Sequence, residues 1–393
     1  MCIRAFHPAH ANHRSIEMKL PFRNNETSLT LGVEMEIQLL DHKTLRLTPQ
    51  APSILKMIEH EKLTKEMFRS TLELITGISQ DVHEVHRDLS MTLQDVRSAC
   101  HTKNILIAGT GTHPVADYNN RILSDSSRYA HLLDRNQWLI KRMAVYGLHV
   151  HIGMHDGDAC IRFNNFFLHF IPHLIALSAS SPYWKGKDTG LSASRPTTYE
   201  AHPTAGLPVV VEDWNEFNQL YSDFIRTSSV QSMKDIWWDL RPSPGYGTLE
   251  IRICDGPATL LELESIVAFI HLLAHWYQDH TEEFTRNNRT KPIEWILREN
   301  KWRGIRYGTE AVIVRQEDLE SIKLSDSILY WLEKLNPYTK RLGYEQYVEC
   351  LNDIVNKGNS SARQRKVMTR ENDLFAVIRH NIDEFERGHP VWS

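Results

Sequence analysis

Carboxylates, imidazoles and a guanidinium fall on alternate positions of three short segments, and that spacing is where chemistry is most legible. In residues 31–39, Glu34, Glu36 and Gln38 alternate with Val33, Met35, Ile37 and Leu39. A β-strand sends successive side chains to opposite faces, so this segment would show both glutamates on one side. The stretch LHVHIG sets His149 and His151 against Leu148, Val150 and Ile152, and TLEIRIC sets Glu250 and Arg252 against Leu249, Ile251 and Ile253. A fourth stretch, STLELITG, adds Glu73 among apolar neighbours. Each pattern alone is what a half-buried antiparallel strand presents to water. Two acids side by side on one face, however, repel unless positive charge lies between them. A His-x-His pair likewise aims both rings at one spot. Hard oxygen donors in this number suit Mg²⁺ or Mn²⁺, with zinc the alternative that the histidines bring. An arginine among such acids fits neutralisation of a transferring phosphoryl group better than plain hydrolysis.

Familiar phosphate and nucleophile signatures are missing. The nearest approach to a P-loop, Gly186-Lys187, is followed by Asp188, and no G-x-S-x-G elbow occurs. His83-Glu84-Val85-His86 is one residue short of a zincin motif and is expected at a solvated helix start. His7, His10 and His13 are expected in a solvated arm. Any phosphate must therefore be held by metals and arginines.

The elements that must position these groups follow from periodicity. Strands are expected at residues 29–40, 71–76, 105–109, 147–153 and 248–254, and helices at 81–102, 159–178, 260–279, 319–335, 344–355 and 371–386. Strands gather before residue 255 and do not alternate with helices, which favours an α+β fold with an antiparallel sheet. Residues 1–28 read as an irregular arm, residues 29–388 as one domain, and residues 185–208 as a long loop of a length that is usually functional or disordered. The 393 residues carry 41% hydrophobic and 24% charged side chains and a net charge of −4, which leaves no electrostatic footprint for nucleic acid or an anionic membrane. Cys2, Cys100, Cys160, Cys254 and Cys350 are dispersed and odd in number, as expected in the reducing cytoplasm. The oily stretch 163–183 is interrupted by His169, Pro172 and His173, so no membrane span is expected there.

The stretches LGVEMEIQLL, ELITGIS, GTGTHP, YGLHVHIG, ALSASSPYWKGKDTGLSASR, PTAG, WWDLRPSPGYGTLEIRICD, ENKWRGIRYG and GNSSARQR resemble, in order, the type-2 glutamate–cysteine ligases, or carboxylate–amine ligases. The resemblance spans residues 29–388. It implies a glutamine synthetase-like fold, an antiparallel sheet forming a funnel with helices outside and a helical C-terminal third. It also implies ATP, Mg²⁺, an acyl-phosphate intermediate and a homodimer. Position by position, it implies metal roles for Glu34, Glu36, Glu73, His149 and Glu250, with His151 beside the nucleotide. Arg252 would sit at the transferring phosphate, Arg241 would be a second phosphate arginine, and Lys187 and Arg195 would contact phosphate or substrate. Asn359, Gln364 and Arg365 match a C-terminal motif expected to be structural or at the nucleotide edge. Met35 stands where the family has a third acid but belongs to the apolar face. The piece RPTTYEAHPTAG departs from the family pattern in the loop expected to shape the acceptor pocket.

The expected function is ATP-dependent joining of a glutamate-like carboxylate to an amine such as that of cysteine. No residue stands out as base for the amine, and Glu73 is the candidate. The rivals are a metal-dependent hydrolase built on His149 and His151, in which Arg252 has no task, and a non-catalytic nucleotide or amino-acid sensor, for which loss of metal acids is expected.

Overall fold

The computed structural model describes residues 20–27, 29–117, 122–287 and 292–392. Most of the N-terminal arm, with His7, His10, His13 and Cys2, lies outside the described residues.

One seven-stranded antiparallel sheet organises the chain. Numbering only its strands, these are β1 (Leu31–Asp41), β2 (Leu63–Lys65), β3 (Thr71–Ile75), β4 (Ile105–Ala108), β5 (Leu148–Gly153), β6 (Leu240–Ser243) and β7 (Thr248–Ile251). The order is β6-β7-β5-β1-β3-β2, with β4 pairing the far end of β1. Alternation dictates the layering. Leu31, Val33, Met35, Ile37 and Leu39 are buried on one face and join a core that includes Leu148, Val150, Ile152, Leu249 and Ile251. The helices Val82–Thr102 and Leu260–Asn287 belong to the same core, which runs from Leu29 to Phe385. Met35 lies on this apolar side, 2% exposed, as its position in the alternation requires.

Helix Leu260–Asn287 is long and apolar enough over residues 260–282 to cross a membrane by composition, but 83% of that window is buried inside the fold. It is a core helix. Cys100, Cys160, Cys254 and Cys350 are buried and free.

Several elements differ from their sequence expectation for local reasons. The helix expected at 159–178 is split into Gly157–Phe167 and Ile171–Ser178 by a 3₁₀ turn at Leu168–Phe170. Pro172 lacks the N–H that a helix interior needs and stands in the first turn of the second helix. The helix expected at 371–386 runs from Leu374 to Arg387 and follows a separate, unexpected helix, Ser360–Glu371. Between them Asn372 takes a left-handed φ of 49° and the Asp373 side chain accepts from Phe375 N. The helix expected at 319–335 is preceded by a hairpin of Val312–Val314 with Ser321–Lys323 and begins only at Leu324. Residues 185–208 are built rather than open. They hold one arm of a small hairpin, the short helix Arg195–Tyr199 and a strand pair with Trp237–Trp238.

Candidate active site

Strand registers bring the predicted groups together. Glu36 stands opposite Glu73 across β1 and β3, and Glu34 opposite His149 across β1 and β5. Glu250 stands between His151 on β5 and Arg241 on β6. One polar row thus crosses five strands on the face away from the core. It lines a cavity of about 340 Å³.

Hydrogen bonds fix the row. Glu34 meets His149 Nδ1 at 2.9 Å and His151 Nε2 at 3.3 Å, and His151 Nδ1 lies 2.8 Å from Thr248 Oγ1. This arrangement leaves His149 Nε2 available to ligate, with the carboxylate orienting the ring as in metal-binding histidines. Glu36 accepts from the Gly147 backbone N at 2.7 Å. Glu250, 1% exposed, accepts from Arg241 Nε and Nη2 at 2.9 and 2.6 Å, and from Arg252 Nη1. Gly147 is required by close approach, because a Cβ there would lie 2.2 Å from Arg195 Nη2.

The electrostatics divide the acids. Burial raises Glu34, but its bonds to His149 and His151 outweigh this and hold it well below the usual range. Burial also opposes ionisation of Glu250, and Arg241, Arg252 and His151 overcome it. Glu36 is pushed up to about 8, first by burial and then by Glu66. Burial, then Glu66, Glu34 and Glu36, raise Glu73 well above a normal carboxyl. Burial and Arg252 lower His149 to about 4, so the ring is neutral and fit to ligate at neutral pH.

Two ligand triads result. One donor atom each from Glu34, His149 and Glu250 lie within 4.8 Å of one another, and the same holds for Glu36, Glu73 and His149. Crowded carboxylates with raised proton affinity need added positive charge to stay ionised together. Their oxygen-rich donor set, with one shared imidazole, fits Mg²⁺ or Mn²⁺.

Other expected residues fall differently. Arg195 lines the cavity, buried, with Nη1 donating to the backbone oxygens of Arg252 and Ile253 at 3.2 and 3.3 Å. Lys187 is not brought to the cavity. It is exposed in a two-residue strand paired with Trp184, because the hairpin turns it outward. Asn359 caps helix Ser360–Glu371, Gln364 donates to Ser180 O, and Arg365 pairs with Asp188 at 2.7 Å. The helix start at His83 and His86 is only partly solvated, since His86 Nδ1 lies 2.6 Å from the buried Glu264.

Sequence reasoning missed Glu66, a further acid lining the cavity just after β2, whose carboxyl burial raises. A three-residue strand carries no readable alternation, so nothing marked it. Tyr246, in the β6–β7 turn, sets its ring edge to His151, with centroids 5.8 Å apart, and was equally unmarked.

A buried row of carboxylates, imidazoles and arginines on an antiparallel sheet thus lines one cavity of an α+β fold. The chain matches, over residues 30–380, and belongs to the family described as glutamate–cysteine ligase family 2, and it is therefore an ATP-dependent carboxylate–amine ligase. It is 40% identical over 374 residues to "Putative glutamate--cysteine ligase 2" of Bdellovibrio bacteriovorus, covering 95% of this chain and 98% of that one. A Gloeobacter violaceus protein of the same name is 36% identical over 366 residues, 92% of this chain and 98% of that one. Among solved structures, the fold is similar to glutamate–cysteine ligase from Francisella tularensis in complex with AMP. The TM-score is 0.66 at 15% identity, over 93% of this chain and 89% of that one. A bifunctional glutathione synthetase from Pasteurella multocida gives a TM-score of 0.64 at 15% identity, over 91% of this chain and 52% of that one.

Proposed function

We propose that this ligase joins a glutamate-like carboxylate to the amine of an amino acid such as cysteine through an acyl phosphate made from ATP. Two ligand triads that share His149, one of them including the Glu250 carboxylate gripped by Arg241 and Arg252, carry this reading. Glu34, Glu36, Glu73, His149 and Glu250 would hold Mg²⁺ or Mn²⁺, and Glu66 adds a further carboxylate to the cluster. Bound there, such cations supply charge neutralisation for the polyphosphate.

An ionised carboxylate is a weak electrophile, so it must be activated before an amine can attack. A carboxylate oxygen attacks the γ-phosphorus in line, the bond to the bridging oxygen breaks, and ADP leaves. Phosphoryl transfer asks the protein chiefly for position and for neutralisation of the equatorial oxygens. Arg252, with Arg241 beside it, performs that role from the floor of the cavity. The amine nitrogen then attacks the acyl carbon, phosphate departs with the bonding pair, and a carboxylate takes the amine proton. Glu73 is the proposed acceptor of that proton. His151 and Arg195 line the same cavity as contacts for nucleotide and substrate.

Residues 29–388 act as one domain in this reading, in a cytoplasmic homodimer. The test is ADP release by the purified protein with Mg²⁺ across pairs of carboxylates and amines, with products identified by mass. Cleavage without nucleotide would instead indicate a hydrolase, and binding without turnover a sensor.

A further inference from the structure

The cavity arginines are held from behind by charged groups that do not line it. Asp239 lies between Trp237–Trp238 and β6, with its side chain 0% exposed. Its backbone oxygen accepts from Arg252 N at 2.8 Å. One carboxylate oxygen accepts from Tyr199 OH at 2.6 Å, and the other from Lys301 Nζ at 2.7 Å. The Tyr199 ring centroid is 5.2 Å from the Arg195 guanidinium carbon, and Arg195 returns to the backbone oxygen of Arg252. These contacts close a ring through Arg252, Asp239, Tyr199 and Arg195.

Lys301 locks the ring from outside. It comes from helix Glu294–Tyr307, in the helical C-terminal third, and its side chain is 3% exposed. Lys301 also pairs with Glu200, at 3.1 Å. A buried ion pair is a weak device for stability alone, because apolar residues of equal volume often serve as well. Here its geometric effect is specific: it fixes the carboxylate that holds Tyr199 against the Arg195 guanidinium, on the residue whose backbone oxygen anchors Arg252 N.

We infer that Asp239 and Lys301 are positioning residues of the ligase reaction, tying the C-terminal helices to the placement of Arg252 and Arg195. The inference rests on the proposed ligase function. A second buried network, Arg363 with Glu262 and Glu384 at 2.8 and 2.6 Å, lies outside the cavity lining and serves as the structural control.

The experiment compares Lys301→Met with Arg363→Met, measuring kcat per folded molecule, the KM for ATP and the melting midpoint. Lys301→Met should lose about tenfold or more in kcat, as misplacement of reacting groups does, with the KM for ATP within about threefold. Arg363→Met should lower the melting midpoint and keep kcat per folded molecule within about twofold. If Lys301→Met does not fold, Asp239→Asn with Lys301→Met leaves no buried charge unpaired, since Glu200 is exposed, and should fold with the same kcat loss. A folded Lys301→Met or double variant with kcat within about twofold of the native value overturns the positioning role. Native turnover is the separate check on the ligase reading. Its absence contradicts that reading and this one, whereas native turnover with an undiminished variant contradicts the positioning role alone.

Discussion

Glu250 and Arg241 face each other across β7 and β6, with two guanidinium nitrogens 2.9 and 2.6 Å from one carboxylate oxygen. Arg252 takes the other oxygen, so a proposed metal carboxylate and both proposed phosphate arginines form one unit. Glu250→Gln keeps the shape but removes the charge. ADP formation should fall by about a hundredfold or more, the scale of losing an electrostatic group in a preorganised site. Two buried guanidiniums would lose their counter-ion, so stability should fall by about 3 kcal/mol. Unchanged turnover in this variant would remove Glu250 from the site.

Glu73 should behave in the opposite sense for stability. It is buried, raised well above a normal carboxyl by burial and then by Glu66, Glu34 and Glu36, and costly to keep ionised without a cation. Glu73→Gln should therefore raise the melting midpoint of metal-free protein by about 1–2 °C, a gain of the order of 1 kcal/mol at this chain length. The same variant should lose ligase turnover. A thermal melt with and without Mg²⁺ checks both parts, and a lower metal-free midpoint would contradict the repulsion.

Divalent cations should stabilise the native protein by linkage. At a hundred times the dissociation constant the gain is about 2.7 kcal/mol, read as a rise in melting midpoint. A chelator should abolish ADP release, and Mg²⁺ or Mn²⁺ should restore it. Turnover that persists in chelator would contradict the metal reading of both triads.

The fold should weaken in mild acid. His173 and His271 are 3% and 1% exposed, and burial holds both down to about 3. Above pH 6.5 neither binds a proton in either state, so neither affects stability. Below it the unfolded chain takes up protons that the folded chain refuses, and stability falls from pH 6.5 toward 3. The slope is up to about 1.4 kcal/mol per pH unit for each histidine. Denaturant titrations between pH 7.5 and 5 should show a shallower slope for His173→Gln. An equal slope would contradict the assignment.

The strands that build the site were legible because their polar faces carry unusual residues. Glu34 and Glu36, His149 and His151, and Glu250 and Arg252 keep strict alternation, and the registers seat them side by side. Glu66 was not legible, since a three-residue strand gives no period. Neither were Asp239 and Lys301, which look like ordinary charges until a helix 62 residues away delivers the ammonium to the carboxylate. Local chemistry also hid one helix break: the 3₁₀ turn before Pro172 interrupts an apolar pattern that otherwise runs on without a gap. The position of Lys187 was not legible either, because it is the pairing with Trp184 in a small hairpin that leaves it exposed.

The most direct measurement follows an oxygen atom. A substrate carboxylate labelled with heavy oxygen is incubated with ATP, Mg²⁺, the amine and the protein, and the released inorganic phosphate is analysed by mass. Transfer through an acyl phosphate carries one labelled oxygen into each phosphate, in step with amide formation. Amide formed with unlabelled phosphate would contradict the acyl-phosphate mechanism and, with it, the role given to Arg252.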